Sequence, residues 1–256
     1  MIEAVIFDWA GTTVDYGCFA PVNAFVEAFR QYKIEPTLDE IRKPMGALKW
    51  QHIKTVLEME RVNAMWKDVY GRDFDDSDVD KIHDVFFEKL MESLHKYATP
   101  KPHVIDAVAK LREMDIKIGS TTGYTDDMME IIVDGAKQQG YSPDFMCTPT
   151  MLGDVGRPYP YMVFKNMEVL KVGSVKNVVK VGDTVSDILE GVNAGVVVVG
   201  VVEGSSEMAL NEEEYAALSE DKKQTLIDAV TTKYKDAGAD YVILNMSHLP
   251  ALVESL

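Results

Sequence analysis

Ala4-Val5-Ile6-Phe7-Asp8-Trp9-Ala10-Gly11-Thr12-Thr13 stands close to the start of the chain. Its first four residues are apolar or β-branched and are followed at once by a carboxylate. A short continuous apolar run bounded by turn residues reads as a buried parallel strand. In sheets of that kind, ligands bind beyond the carboxyl ends of the strands, where Asp8 falls. The small residues after Asp8 allow backbone N–H groups to turn toward an anion.

The same pattern recurs along the chain. Lys117–Thr121, 177–181 and 196–201 read as further buried strands, and 144–147 and 241–244 as weaker ones. Helical stretches at 125–139, 161–171 and 186–194 lie between the later strands. This alternation predicts an α/β fold, a doubly wound parallel sheet with helices on both faces. The first alternation is interrupted by about eighty residues of helix. Val22, Phe25, Val26 and Phe29 make one apolar helical face, and Thr37-x-x-Glu40 is a capping box. Pro44-Met45-Gly46 breaks the pattern, a helix follows over 47–58, and Ser77 is placed to cap a long helix reaching His95. Thr99-Pro100-Lys101-Pro102 reads as a hinge linker. The expected organisation is a core of residues 1–18 and 99–256 with a helical cap domain, 19–98, inserted after the first strand.

Composition narrows the function. A net charge of −16 and a pI of about 4.7 leave no basic stripe for nucleic acid and disfavour an anionic membrane surface. A small anionic substrate is still compatible if a metal or a few cations supply local positive charge. No run approaches a membrane span, and the amino-terminal segment reads as a strand rather than a leader, so a soluble cytoplasmic protein is expected. Cys18 and Cys147 lack metal-ligand spacing and are expected as free thiols. The acidic segment 203–236 is assigned no chemistry.

The strand ends collect one type of chemistry. Asp8 follows the first strand, and Ser120-Thr121-Thr122-Gly123 ends the second with hydroxyl and N–H donors. Gly182-Asp183-Thr184-Val185-Ser186-Asp187 places two carboxylates one helical turn apart, and Arg157 stands in Gly156-Arg157-Pro158-Tyr159-Pro160. Asp8 can serve as a carboxylate nucleophile, and Asp8 and Asp183 offer the oxygen ligands magnesium prefers. In this order the set resembles the haloacid dehalogenase superfamily over almost the whole chain. The resemblance makes Asp8 the nucleophile, puts Thr121 in the second motif and Arg157 in place of the usual third-motif lysine, and makes Asp183 and Asp187 the acidic fourth motif. It also matches the insert to the superfamily's cap.

Phosphatases of this superfamily carry a second Asp two residues after the nucleophile to protonate the leaving alkoxide. Here that position is Ala10, which has no proton to give, although its backbone carbonyl can still bind a metal. The cap offers another activation. Arg42-Lys43-Pro44-Met45-Gly46-Ala47-Leu48-Lys49 sets a lysine just inside a helix, with His52 on the same face. A lysine imine is an electron sink that lets a carbon depart as an enamine, as cleavage of a 2-oxoalkyl phosphonate requires.

Asp-Trp-Ala-Gly-Thr-Thr, the run before Lys49 and Gly-Arg-Pro-Tyr-Pro together resemble the phosphonoacetaldehyde hydrolase (phosphonatase) family. The resemblance implies hydrolysis of the carbon–phosphorus bond of phosphonoacetaldehyde to acetaldehyde and phosphate, within 2-aminoethylphosphonate degradation. Lys49 would form the Schiff base, Asp8 would attack phosphorus, and His52 would join the catalytic set. Arg157 and the groups near Thr121 would bind the phosphonate. Asp8, the Ala10 carbonyl and Asp183 would hold Mg2+, with Asp187 supporting them. Cys18, Met45, Gly46, His52 and Tyr124 would line or tune the pocket, while Trp9 and Trp50 read as packing or pocket walls. The family also implies a homodimer through cap helices, for which the stripe from Val22 to Phe29 is one candidate surface and the chain's own core the other use. Three alternatives stay open: a phosphatase or phosphomutase on a small phosphate ester, a dehalogenase, and a catalytically silent binding protein. Ala10 disfavours the first, the Asp183/Asp187 pair the second, and the retained Asp8, Thr121, Arg157 and Asp183 the third.

Overall fold

A computed structural model of the protein describes residues 1–45 and 47–256. Six parallel strands, β1 (Ala4–Phe7), β2 (Lys117–Thr121), β3 (Phe145–Cys147), β4 (Val178–Gly182), β5 (Val197–Val201) and β6 (Tyr241–Ile243), form one sheet in the order β3-β2-β1-β4-β5-β6. The chain leaves β1 toward β2 on one side and returns to β4 on the other. The edge of β1 is therefore the switch point at which doubly wound sheets open a crevice. Along β1 the side chains alternate between faces, with Val5 and Phe7 in one apolar cluster and Ala4 and Ile6 in another. All four are buried, as a strand covered on both faces requires.

Between β1 and β2 lie α1 (Phe19–Gln31), α2 (Leu38–Arg42), α3 (Lys49–Glu58), α4 (Glu60–Tyr70) and α5 (Asp76–Ser93). The core helices are α6 (Val104–Glu113), α7 (Asp126–Gln138), α8 (Tyr161–Leu170), α9 (Val185–Ala194), α10 (Glu212–Ala216), α11 (Glu220–Asp236) and α12 (Leu249–Glu254). The fold is thus the expected α/β core with an inserted helical cap. The two crossings between them run side by side: Val14 bridges Pro100, and the N–H of Lys101 donates to the Thr13 carbonyl at 2.8 Å. No helix among the described residues is long and apolar enough to cross a membrane.

Several local expectations shift. The strand expected over 177–181 begins at Val178, because Asn177 closes a 3-10 turn. Asp144 drops out of β3 because its carboxylate accepts the Ile118 N–H at 2.7 Å. The capping box at Thr37 forms, with Glu40 reaching back to the Thr37 N–H. Ser77 does not cap α5. Asp75 does, accepting from the Ser77 N–H, while Asp78, clamped by Arg72, accepts from the Asp75 N–H.

The stripe on α1 is also resolved. Val22, Phe25 and Phe29 are buried in the chain's own core, and Phe25 stacks on Phe86 of α5 at 4.1 Å. Each such side chain contributes roughly 1.5–3 kcal/mol by leaving water. These residues are therefore spent inside the cap and are not available to a second copy.

Candidate active site

Phe7 pairs with Ser120 on β2 and with Val181 on β4, so Asp8 emerges between the ends of both neighbours. The Asp8 N–H donates to the Val181 carbonyl at 2.9 Å, and Oδ1 accepts from Arg157 Nη2 at 2.7 Å. Oδ2 accepts no hydrogen bond among the described residues. Gly11 turns the loop with φ +88°, and an added Cβ would lie 2.2 Å from Asp183 Oδ2. Only glycine fits that approach. Gly11→Ala is expected to cost at least about 1 kcal/mol of stability and to displace Asp183. Thermal unfolding together with turnover would check this, and an unchanged Tm with full activity would contradict it.

A closed network of charges stands behind Asp8. Arg157 presents Nη2 to Asp8, Nη1 to Asp187 Oδ1 at 3.1 Å and Nε to Glu190 Oε2 at 3.1 Å. Lys180, fully buried on β4, reaches Asp187 Oδ1 at 2.7 Å and Glu190 Oε2 at 3.4 Å. Thr184 caps α9 by accepting the Asp187 N–H, and its hydroxyl donates to Asp187 Oδ2 at 2.6 Å. Asp183 accepts from Thr12 Oγ1 at 2.8 Å and from the Ser206 N–H at 2.7 Å.

The carboxylates of Asp8, Asp183 and Asp187 each offer an oxygen within 4.8 Å of the others, and all three are buried. Burial and then the charges of Asp8 and Asp187 push the Asp183 carboxyl up to about 8. Three buried carboxylates whose oxygens converge in this way are the hard oxygen donors a divalent cation prefers, so the residues fit a hard metal. Asp187 is already claimed by Arg157, Lys180 and Thr184, which leaves Asp8 and Asp183 as the freer donors.

Lys49 is the first residue of α3, and the cap delivers it into the core. It lines a small cavity of about 20 Å³ together with Asp8, Ala10, Cys18, Met45, Thr122, Gly123, Tyr124, Arg157, Thr184 and Ser206. Lys49 is buried, and its Nζ lies 5.2 Å from the Tyr124 ring centre. Burial pushes its pKa below the ordinary lysine value; Arg157 acts in the same direction, and Cys18 and Asp8 oppose. The Tyr124 hydroxyl is buried and has no hydrogen-bond partner among the described residues. Burial pushes the Cys18 thiol well up, so at neutral pH it is a thiol and not a nucleophilic thiolate. Ser186 Oγ donates to the Met45 carbonyl at 3.3 Å, and Arg42 donates to the Gly17 and Ser206 carbonyls, fastening the cap over the cavity.

Of the expected site residues, Asp8, Ala10, Cys18, Met45, Lys49, Tyr124 and Arg157 line this cavity. Asp183 and Asp187 adjoin Asp8. Gly46 lies outside the described residues. Two expectations change. Thr121 does not line the cavity: its hydroxyl donates to Glu190 at 2.9 Å, and its oxygen accepts from Arg157 at 2.9 Å. A hydroxyl has one proton, so Thr121 has none left for a ligand, and the residue of the Ser120–Gly123 turn whose hydroxyl lines the cavity is Thr122. His52 stands away from the cavity, with Nε2 2.7 Å from the Ile41 carbonyl and its ring stacked on Phe25. Burial and then Lys49 push it down to about 3, so it is neutral and not a proton carrier near pH 7.

Sequence reading missed Lys180, Glu190, Thr12, Ser206 and Tyr234, whose hydroxyl donates to the Asp183 carbonyl. A lysine inside an apolar strand and a glutamate one turn after Asp187 were the available signals for the first two. Ser206 and Tyr234, in the acidic segment, gave none.

A family model described as haloacid dehalogenase-like hydrolase matches residues 2–195. The chain is 52% identical to the phosphonoacetaldehyde hydrolase of Lysinibacillus sphaericus, over 100% of this chain and 95% of that protein. It is 48% identical to a bifunctional phosphonoacetaldehyde hydrolase/aminoethylphosphonate transaminase of Clostridioides difficile, over 97% of this chain and 39% of that one. A crystal structure of a phosphonoacetaldehyde hydrolase-like protein from Oleispira antarctica superposes with a TM-score of 0.95 at 37% identity, over 99% of this chain and 92% of that one.

Proposed function

Because the chain belongs to the phosphonoacetaldehyde hydrolases of the haloacid dehalogenase-like hydrolase family, we propose that it hydrolyses the carbon–phosphorus bond of phosphonoacetaldehyde through a Lys49 Schiff base and an Asp8 aspartyl phosphate. The observation that carries this reading is the shared cavity of Lys49 and Asp8, with Ala10 where a leaving-group acid would otherwise stand. The neutral Lys49 amine attacks the aldehyde carbon, and water departs as the protonated imine forms. An Asp8 carboxylate oxygen then attacks phosphorus. The electron pair of the carbon–phosphorus bond moves into the enamine, so no acid at position 10 is needed. Protonation at carbon and hydrolysis of the imine release acetaldehyde and Lys49. A second water releases phosphate from Asp8.

Arg157 binds the phosphonate oxygens beside the Asp8 carboxylate it already orients. Thr122 and Tyr124 present their hydroxyls to the substrate, and Cys18 and Met45 wall the cavity. His52 acts through Lys49, keeping an uncharged ring near it. Asp8, the Ala10 carbonyl and Asp183, with Asp187 in support, would hold Mg2+, which would supply positive charge against the anionic phosphonate.

The physiological setting proposed is degradation of 2-aminoethylphosphonate in the cytoplasm, supported by the transaminase fused in the Clostridioides difficile relative. The proposed domains are a core of 1–18 and 99–256 and a cap of 19–98, supported by the paired crossings at Val14 and Pro100. A homodimer is also proposed. It is placed through the cap helices, on a surface other than the α1 residues Val22, Phe25 and Phe29, which are buried. Light scattering is expected to give twice 28.6 kDa, and a monomer at micromolar concentration would contradict the dimer.

The magnesium-loaded enzyme should release phosphate and acetaldehyde in equal amounts from phosphonoacetaldehyde and stop on chelation. The attacking amine must be neutral and burial lowers its pKa, so the rate should rise with pH and level off below the ordinary lysine value of 10.5. Preferential hydrolysis of phosphate esters, or product release that ignores the metal, would overturn the reading.

A further inference from the structure

Glu190 sits on α9 one turn beyond Asp187, fully buried, and is not part of the cavity wall. Its Oε2 accepts from Thr121 Oγ1 at 2.9 Å and Arg157 Nε at 3.1 Å, and pairs with the Lys180 ammonium at 3.4 Å. Its Oε1 is buried and accepts no hydrogen bond among the described residues. One carboxylate oxygen therefore fixes both the cation beside Asp8 and the hydroxyl that faces it.

A planar guanidinium held at one nitrogen can swing, and held at three it cannot. Of the three carboxylate contacts of Arg157, the one to Asp8 has to yield when Asp8 becomes bonded to phosphorus. The anchors that persist through the reaction are Asp187 at Nη1 and Glu190 at Nε. Thr121 completes the arrangement. As a carboxylate, Glu190 can only accept, so it takes the single Thr121 proton, and the Thr121 oxygen is left to accept from Arg157 Nη2 at 2.9 Å. Lys180 compensates the Glu190 charge from the other side.

We propose that Glu190 is a positioning residue for phosphoryl binding: through Arg157 Nε and the Thr121 hydroxyl it holds Nη2 of Arg157 at the place the phosphoryl oxygens occupy. The proposal rests on the reaction assigned above for the identity of the phosphoryl donor, but not for the geometry. A lysine at position 157 has no nitrogen to give Glu190 along its stem, so Glu190 is also the contact that makes arginine the required cation here.

Glu190→Gln can place its carbonyl oxygen where Oε2 stands and its amide nitrogen where Oε1 stands, keeping the Thr121 and Arg157 donors satisfied. Glu190→Leu cannot. In the magnesium-loaded enzyme, Glu190→Leu is expected to lower kcat for phosphonoacetaldehyde about 100-fold, the cost of roughly 1 Å misplacement. It should weaken competitive inhibition by inorganic phosphate about tenfold. At saturating substrate, borohydride trapping of the Lys49 imine should proceed at the wild-type rate, because Lys49 is carried by the cap. Glu190→Gln should stay within about tenfold of wild type in kcat. If the leucine variant does not fold, Glu190→Leu/Lys180→Met removes both buried charges and takes the same measurements.

Equal loss of trapping and phosphate release would mark a general structural role and overturn the proposal. So would unchanged phosphate inhibition in the leucine variant. Calorimetric titration of inorganic phosphate keeps this separable from the substrate assignment. A weakened grip in Glu190→Leu supports the positioning role even if phosphonoacetaldehyde proves not to be turned over.

Discussion

Lys49→Arg is expected to lower phosphonoacetaldehyde turnover by roughly three to four orders of magnitude, the range spanned by a positioned proton-transfer or nucleophilic group. Arginine keeps a positive charge at the start of α3, so the charge balance of the cavity and the cap packing are preserved. It does not deprotonate in a protein and cannot form an imine. The variant should fold, bind magnesium and bind inorganic phosphate as the wild type does, because Asp8, Asp183 and Arg157 are untouched. Steady-state release of acetaldehyde and phosphate checks the prediction. A loss under about tenfold would mean that the amine is not chemically involved.

Lys180→Met is the second large effect, and it falls on stability. Lys180 is fully buried, and its Nζ lies 2.7 Å from Asp187 and 3.4 Å from Glu190. Methionine fills similar space but leaves two buried carboxylates with Arg157 as their only shared cation among the described residues. Removing one partner of a buried ion pair costs about 3–5 kcal/mol, because the uncompensated charge remains in a poorly polarisable interior. Denaturant unfolding of the two proteins should show that loss as a lower midpoint with an unchanged slope. Adding Glu190→Leu to Lys180→Met should recover part of it, since one orphaned charge is then removed as well. A Lys180→Met variant as stable as wild type would show that the network is relieved by water or by protonation.

The sheet was legible because buried parallel strands carry an unbroken apolar signature, and Ala4–Phe7 and Lys117–Thr121 form as read. Errors at strand and helix ends came from side chains competing for backbone groups: Asp144 takes the Ile118 N–H, and Asp75 takes the cap expected of Ser77. Periodicity marks α1 as amphipathic but does not say what its stripe meets, and the answer is α5 of the same chain.

At the site, residues that follow a strand end were readable because the switch point fixes where those ends converge. Thr121 and Thr122 differ by one position, and a strand turns successive side chains to opposite faces. Only the geometry separates the hydroxyl spent on Glu190 from the one facing the cavity. Lys180 and Glu190 were hidden because charges inside an apolar strand and on a buried helical face appear as exceptions until their partners are known. His52 shares a helical face with Lys49, yet its ring is turned into the cap core.

The central claim is that Lys49 of the cap and Asp8 of the core act on one substrate, the first as an imine-forming amine. Incubating the magnesium-loaded enzyme with phosphonoacetaldehyde and borohydride, then mapping the modified peptide by mass, tests this most directly. A reduced adduct on Lys49, with phosphate release lost in step with its formation, is the predicted result. Rapid turnover with no adduct on Lys49, or an adduct on another lysine that accounts for the inactivation, would contradict it.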